Sequence, residues 1–105
     1  MVEIARLHDE LLGRVLGGNG QTPAALRRSA FDNAGLDEPL GTLIEKVAAR
    51  AYQVTDEDFA AVRAAGLSED QIFEVVVCAA IGQANRQYSG ALAALADATA
   101  EASDA

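Results

Sequence analysis

Apolar residues recur at helical spacing along nearly the whole chain, and the breaks between these runs divide it into five helical segments. Ile4, Leu7, Leu11, Leu12, Val15 and Leu16 form the first stripe, which stops at Gly17-Gly18-Asn19-Gly20. Thr22-Pro23 then reads as a cap followed by proline at the first position of a short second helix, which carries Leu26 and Phe31 and ends near Asn33-Ala34-Gly35. A third helix is expected from Asp37-Glu38-Pro39 to about Tyr52, with Leu40, Leu43, Ile44 and Val47 on its apolar face. Thr55-Asp56-Glu57-Asp58 opens a fourth, with a threonine cap and a first turn of carboxylates that suits the positive end of the helix dipole. Gly66 closes it as a left-handed residue, and Ser68 with Gln71 has the spacing of a capping box for the fifth.

The fifth segment is the longest. It is expected from Glu69 to roughly Ala98, about 45 Å at 1.5 Å per residue, with Gly82 and Ser89-Gly90 as places where it could bend or break. Its stretch Ile72–Ile81 is apolar nearly all round, so it must be buried in the core or against another subunit. No strand-like alternation competes with these patterns. The expected organisation is a single all-α domain over residues 1–98, an antiparallel helical bundle, with an acidic flexible tail at 99–105.

Composition narrows the functional classes. The chain has 105 residues and a formal net charge of −8, which opposes binding to phosphate backbones and anionic lipid. Nucleic acid and membrane are therefore not expected partners. No apolar run approaches the roughly 20 residues of a membrane span, and no secretory leader is visible, which makes a cytoplasmic location the expectation. The single cysteine, Cys78, cannot form an internal disulfide, and His8 has no ligand set around it, so neither metal nor cofactor is expected. A small, alanine-rich core favours a partner surface for full stability.

Few residues offer chemistry. Glu74 is the single charge in the apolar run, and at 100° per residue it shares a quadrant with Cys78, Gly82, Asn85 and Ser89. Such a polar stripe lines either a pocket or a packing seam. Cys78 has only aliphatic neighbours and reads as a small buried hydrophobe, the alternative being a reactive thiol that would need exposure and a lowered pKa. Tyr52, Asn85, Arg86 and Tyr88 are the candidates for a ligand site; Arg86 could clamp a carboxylate in bidentate fashion. Asp58 could accept a proton, although its place among acids at a helix start keeps it ionised.

The order Gly66, then Ile72-Phe73-Glu74, then Ala79-Ala80-Ile81 resembles the redox segment of the alkylhydroperoxidase D-like (carboxymuconolactone decarboxylase-like) family. The resemblance spans roughly Pro39–Leu95. It implies an all-α fold of antiparallel helices that assembles into trimers or hexamers. Aligned through those residues, the two cysteines of the family's CxxC motif fall on Ala51 and Val54, its histidine on Asp58, and its glutamate on Pro39, one residue from Glu38. The scaffold resembles the family's while the dithiol chemistry is missing.

The leading expectation is thus a non-redox relative acting as an oligomeric binding or accessory subunit, with room for a protein partner. The alternative is a thiol-independent, decarboxylase-type enzyme acting on a small carboxylated metabolite, with Glu74 or Asp58 as proton donor and Arg86 as anion clamp. A one-cysteine peroxidase using Cys78 ranks third.

Overall fold

The computed structural model describes residues 2–17 and 20–104, with the side chains of Val2, Ile4, Ala5 and residues 101–104 left aside. The apolar role expected of Ile4, the Gly18-Asn19 part of the first break and the end of the tail therefore lie outside the described residues. Five α-helices follow one another: α1 (Val2–Gly17), α2 (Ala24–Asp32), α3 (Leu40–Ala49), α4 (Asp56–Ala64) and α5 (Glu69–Asp104). A 3₁₀ turn at Ala51–Gln53 joins α3 to α4, and the described residues contain no strand.

Local signals account for most boundaries. Thr55 and Asp58 form a reciprocal capping box at the start of α4, the Thr55 hydroxyl accepting from the Asp58 amide at 3.3 Å and the Asp58 carboxylate accepting from the Thr55 amide at 2.9 Å. Ser68 and Gln71 do the same for α5, at 3.2 and 2.9 Å. Asn33 ends α2 in the left-handed region at φ 51°, and Gly66 turns the chain after α4 at φ 111°.

Three boundaries differ from the sequence reading. The third helix stops at Ala49 rather than near Tyr52, because Arg50 leaves helical geometry at φ −147° and the chain tightens into the 3₁₀ turn. The Thr22 side chain does not cap α2; its hydroxyl is buried without a hydrogen-bond partner, and helix geometry begins only at Ala24. The fifth helix does not break at Gly82 or Gly90, and its helical geometry continues beyond Ala98 to Asp104, 36 residues in all. A helix of that length is about 54 Å long at 1.5 Å per residue, which explains a molecule measuring 58 × 29 × 20 Å.

The core sits on the first half of α5. Leu43 and Ile44 of α3, Val62 of α4 and Val75 of α5 are fully buried, with Ala30 and Phe31 of α2 and Cys78 and Ala79 of α5 closing the cluster. Leu12, Val15 and Leu16 of α1 pack on its edge. Burial ends abruptly along α5: every residue from Arg86 to Ala100 is exposed. Among the described residues, none therefore gives the half-helix beyond Asn85 a buried core of its own.

Candidate functional site

The polar stripe on α5 is a packing seam as far as Asn85: Glu74, Cys78, Gly82 and Asn85 each meet α1, α2 or the loop between them, and Ser89 does not. Glu74 stands at the entrance to α2. Its carboxylate accepts the amide of Gln21 at 2.7 Å and the amide of Thr22 at 2.8 Å. Gln21 is tied down further, its side-chain amide donating to Asp70 at 3.2 Å and its carbonyl accepting from Gln71 at 3.3 Å. The neighbouring Thr22 hydroxyl and then the Gln21 amide hold the Glu74 carboxyl below the usual glutamate range, against the opposing effect of burial. The hydroxyl itself falls outside hydrogen-bond geometry, so it acts on the carboxylate as a nearby dipole.

One turn on, Cys78 is buried, its sulfur 3.9 Å from the Val15 carbonyl oxygen. Burial pushes its thiol pKa up, Arg27 pulls the other way, and Glu74 adds to the rise. A further turn on, Gly82 lies against the last turn of α2. Asn85 then reaches α1, its carboxamide oxygen 2.7 Å from His8 Nε2, and the His8 ring tilts over Tyr88 with centroids 4.9 Å apart. Ser89, the last member, is exposed.

Arg86 donates to the Phe31 carbonyl at 2.7 Å and to Gln83 at 3.0 Å. That carbonyl belongs to the C-terminal turn of α2. One helix thus places a carboxylate at the entrance to α2 and a guanidinium at its exit, the arrangement that the α2 dipole favours at both ends. Glu74 and Arg86 accordingly stand at opposite ends of α2 and share no cleft among the described residues.

The other candidates lie apart. Asp58 caps α4 and receives both its oxygens' worth of contact from Lys46 Nζ at 3.0 Å. The Thr55 amide first, and then Lys46, keep its carboxyl below the usual aspartate range. Tyr52 projects from the 3₁₀ turn, 85% exposed, its hydroxyl accepting from the Gln53 side-chain amide at 3.5 Å. The residues proposed from sequence as a reaction centre are thus distributed over three places.

Two features were not singled out from sequence. Arg27, on α2 beside Arg28, is only 8% exposed. It donates to the Val15 carbonyl at 3.3 Å, and its Nε is buried without a partner. Arg27, Gly20, Phe73, Glu74 and Cys78 line a shallow cleft of about 160 Å³. Phe73 is the second feature: 69% exposed, it borders an apolar recess of about 360 Å³ with Phe59, Ile72 and Val76. The only signal for Phe73 was its place between two core positions, Ile72 and Val75, on a helix that cannot bury every face.

Chemically, this arrangement holds Glu74 and Asp58 as ionised structural acceptors and Cys78 as a neutral thiol. Among the described residues no three His, Cys, Asp or Glu side chains converge as a metal site, and no helix is long and apolar enough to cross a membrane. No family model, no curated protein and no solved structure matches the chain.

Proposed function

We propose that this protein is a non-catalytic, alkylhydroperoxidase D-like helical subunit that works by binding, as an oligomer or as an accessory to another protein. One observation carries the reading. The side chains that could do chemistry are occupied in holding helices together, Glu74 on the loop before α2, Arg86 on its last turn and Asp58 on α4, whereas large apolar side chains stand in solvent. Phe73 is 69% exposed, Leu95 62%, Leu7 54% and Leu11 48%. Exposed apolar side chains of this size are the groups an interaction face would bury.

Light scattering on the purified protein, combined with titration against a chosen partner, tests this. A native mass of two or more chains, or a saturable complex, is expected. A monomer at 100 µM scale that binds nothing overturns the reading.

The enzymatic alternative gains one specific support, the cleft where Arg27 lies beside Glu74. A small carboxylate that binds there, and loses affinity in Arg27→Met, would favour it over the binding subunit.

A further inference from the structure

We propose that the cleft shared by Arg27 and Glu74 binds a small α-amino acid, its carboxylate on Arg27 and its ammonium on Glu74. The inference rests on the reading of this protein as one that works by binding, and it names the ligand class.

A buried cation without a counter-charge carries the argument. Arg27 is 8% exposed, and an arginine so deeply placed is ordinarily paired with an anion. Here its one hydrogen bond among the described residues runs from Nη1 to the neutral carbonyl of Val15, at 3.3 Å, and its Nε is buried with no acceptor. A guanidinium presents five N–H donors in a planar fork whose natural complement is a carboxylate. Arg27 lines the cleft, so that complement can come from outside the chain.

Glu74 lines the same cleft, yet the two charges do not pair: no Arg27 nitrogen comes within 4.0 Å of a Glu74 oxygen. The Glu74 carboxylate is occupied in part, Oε1 accepting the Gln21 amide and Oε2 the Thr22 amide. Its two oxygens have about four lone-pair sites between them, so each keeps capacity for a second donor. Gly20 leaves this carboxylate uncovered, since a Cβ atom there would stand 2.9 Å from Oε1. The polar deficit of the molecule gathers at this place as well. Among the described residues two side-chain atoms are buried without partners, Thr22 Oγ1 and Arg27 Nε, and both belong to residues that adjoin Glu74.

Opposite charges that line one cleft without touching select the ligand. A simple anion drawn to Arg27 is repelled by Glu74, and a simple cation meets the reverse, whereas a zwitterion satisfies both and leaves the site neutral. The remaining wall is apolar, made by Val15 and Val77 with the exposed ring of Phe73 at its edge, which suits an aliphatic side chain. The cleft measures about 160 Å³, close to the roughly 150 Å³ in which an engineered protein cavity holds benzene. Size therefore excludes a nucleotide, and the Glu74 charge excludes a phosphate ester.

Titration calorimetry on the full chain at neutral pH tests the site with L-valine, bracketed in size by glycine and L-leucine. Saturable binding of L-valine with a dissociation constant of about 1 mM or tighter is expected. Its two halves, 3-methylbutanoate without the ammonium and isobutylamine without the carboxylate, should each bind at least ten-fold more weakly. Arg27→Met should weaken L-valine at least ten-fold. In Glu74→Gln the preference for L-valine over 3-methylbutanoate should shrink to within about three-fold, because only a carboxylate that touches the ammonium sets that preference. A merely structural Glu74 would lower both affinities together and keep their ratio, which overturns the assignment.

The wild-type ligand series needs no variant to fold. Absence of saturable binding by all three amino acids up to about 10 mM overturns the site, and leaves the oligomeric reading to its own light-scattering test. Equal binding of 3-methylbutanoate and L-valine to wild type overturns the zwitterion and favours the carboxylate of the enzymatic alternative. Consumption of bound L-valine supports the site and overturns the non-catalytic reading instead.

Discussion

Gly82 of α5 and Phe31 of α2 bring two helix backbones into direct contact: a Cβ atom at Gly82 would stand 1.9 Å from the Phe31 carbonyl oxygen and 2.7 Å from its carbon. Real atoms do not approach so closely, and neither backbone is the flexible end of a side chain. Alanine normally stabilises a helix interior by about 1 kcal/mol over glycine. Here Gly82→Ala should instead destabilise by about 1–3 kcal/mol, because α2 must shift off the core to admit one methyl group. Gly90, with nothing within 4 Å of its Cβ position, is the internal control. Urea denaturation should show Gly90→Ala equal to or more stable than wild type; a Gly82→Ala protein as stable as Gly90→Ala would contradict the close contact.

The Glu74 carboxylate makes stability depend on pH in a defined direction. Its folded pKa lies below the unfolded value, so the unfolded chain holds the proton more tightly. The stabilisation is complete above the unfolded value of about 4.3 and is lost as pH falls through the folded one. Glu74→Gln should therefore differ most from wild type above about pH 5, the gap narrowing as the solution is acidified below about pH 4. Thermal melts of both proteins across that range measure it; a gap that widens in acid would refute the role given to the carboxylate.

Cys78 should be silent in the native protein. Its thiol is 2% exposed and burial raises its pKa, two conditions that suppress thiolate formation. A thiol reagent should react with one equivalent only after unfolding, and dilute peroxide should be consumed no faster than in buffer. Cys78→Ala should cost about 1–2 kcal/mol through the void left beside Val15 and Arg27. Rapid labelling under native conditions would revive the one-cysteine peroxidase.

Phe73 separates binding from folding. Being 69% exposed, it contributes little to the core, and Phe73→Ser should change unfolding stability by no more than about 0.5 kcal/mol. If the recess it shares with Phe59 and Val76 is an interaction surface, the same substitution should weaken self-association or partner binding at least several-fold in the titrations above. A loss of stability larger than about 1 kcal/mol would instead mark Phe73 as part of the core.

Local rules made the helices legible in the sequence. The capping boxes Thr55/Asp58 and Ser68/Gln71 and the left-handed Asn33 and Gly66 act through atoms only a few residues apart, so their spacing is enough to read them. The all-helical class followed from the same periodicity. The stripe Glu74–Cys78–Gly82–Asn85 was visible too, but its meaning was not. Whether a polar stripe lines a pocket or a seam depends on what lies opposite, and here that is supplied by residues 50 or more positions away: Gln21, Thr22, Phe31 and His8.

By itself, then, the sequence determined where helices start, where most of them stop and which residues have polar atoms to offer, because those properties are set by short-range sterics and hydrogen bonds. Only the tertiary structure decided that Glu74 and Arg86 hold the two ends of α2 rather than one substrate, that Arg27 is buried, and that half of α5 stands bare. Those outcomes depend on which helix packs against which, a matter of three-dimensional burial that no local spacing records.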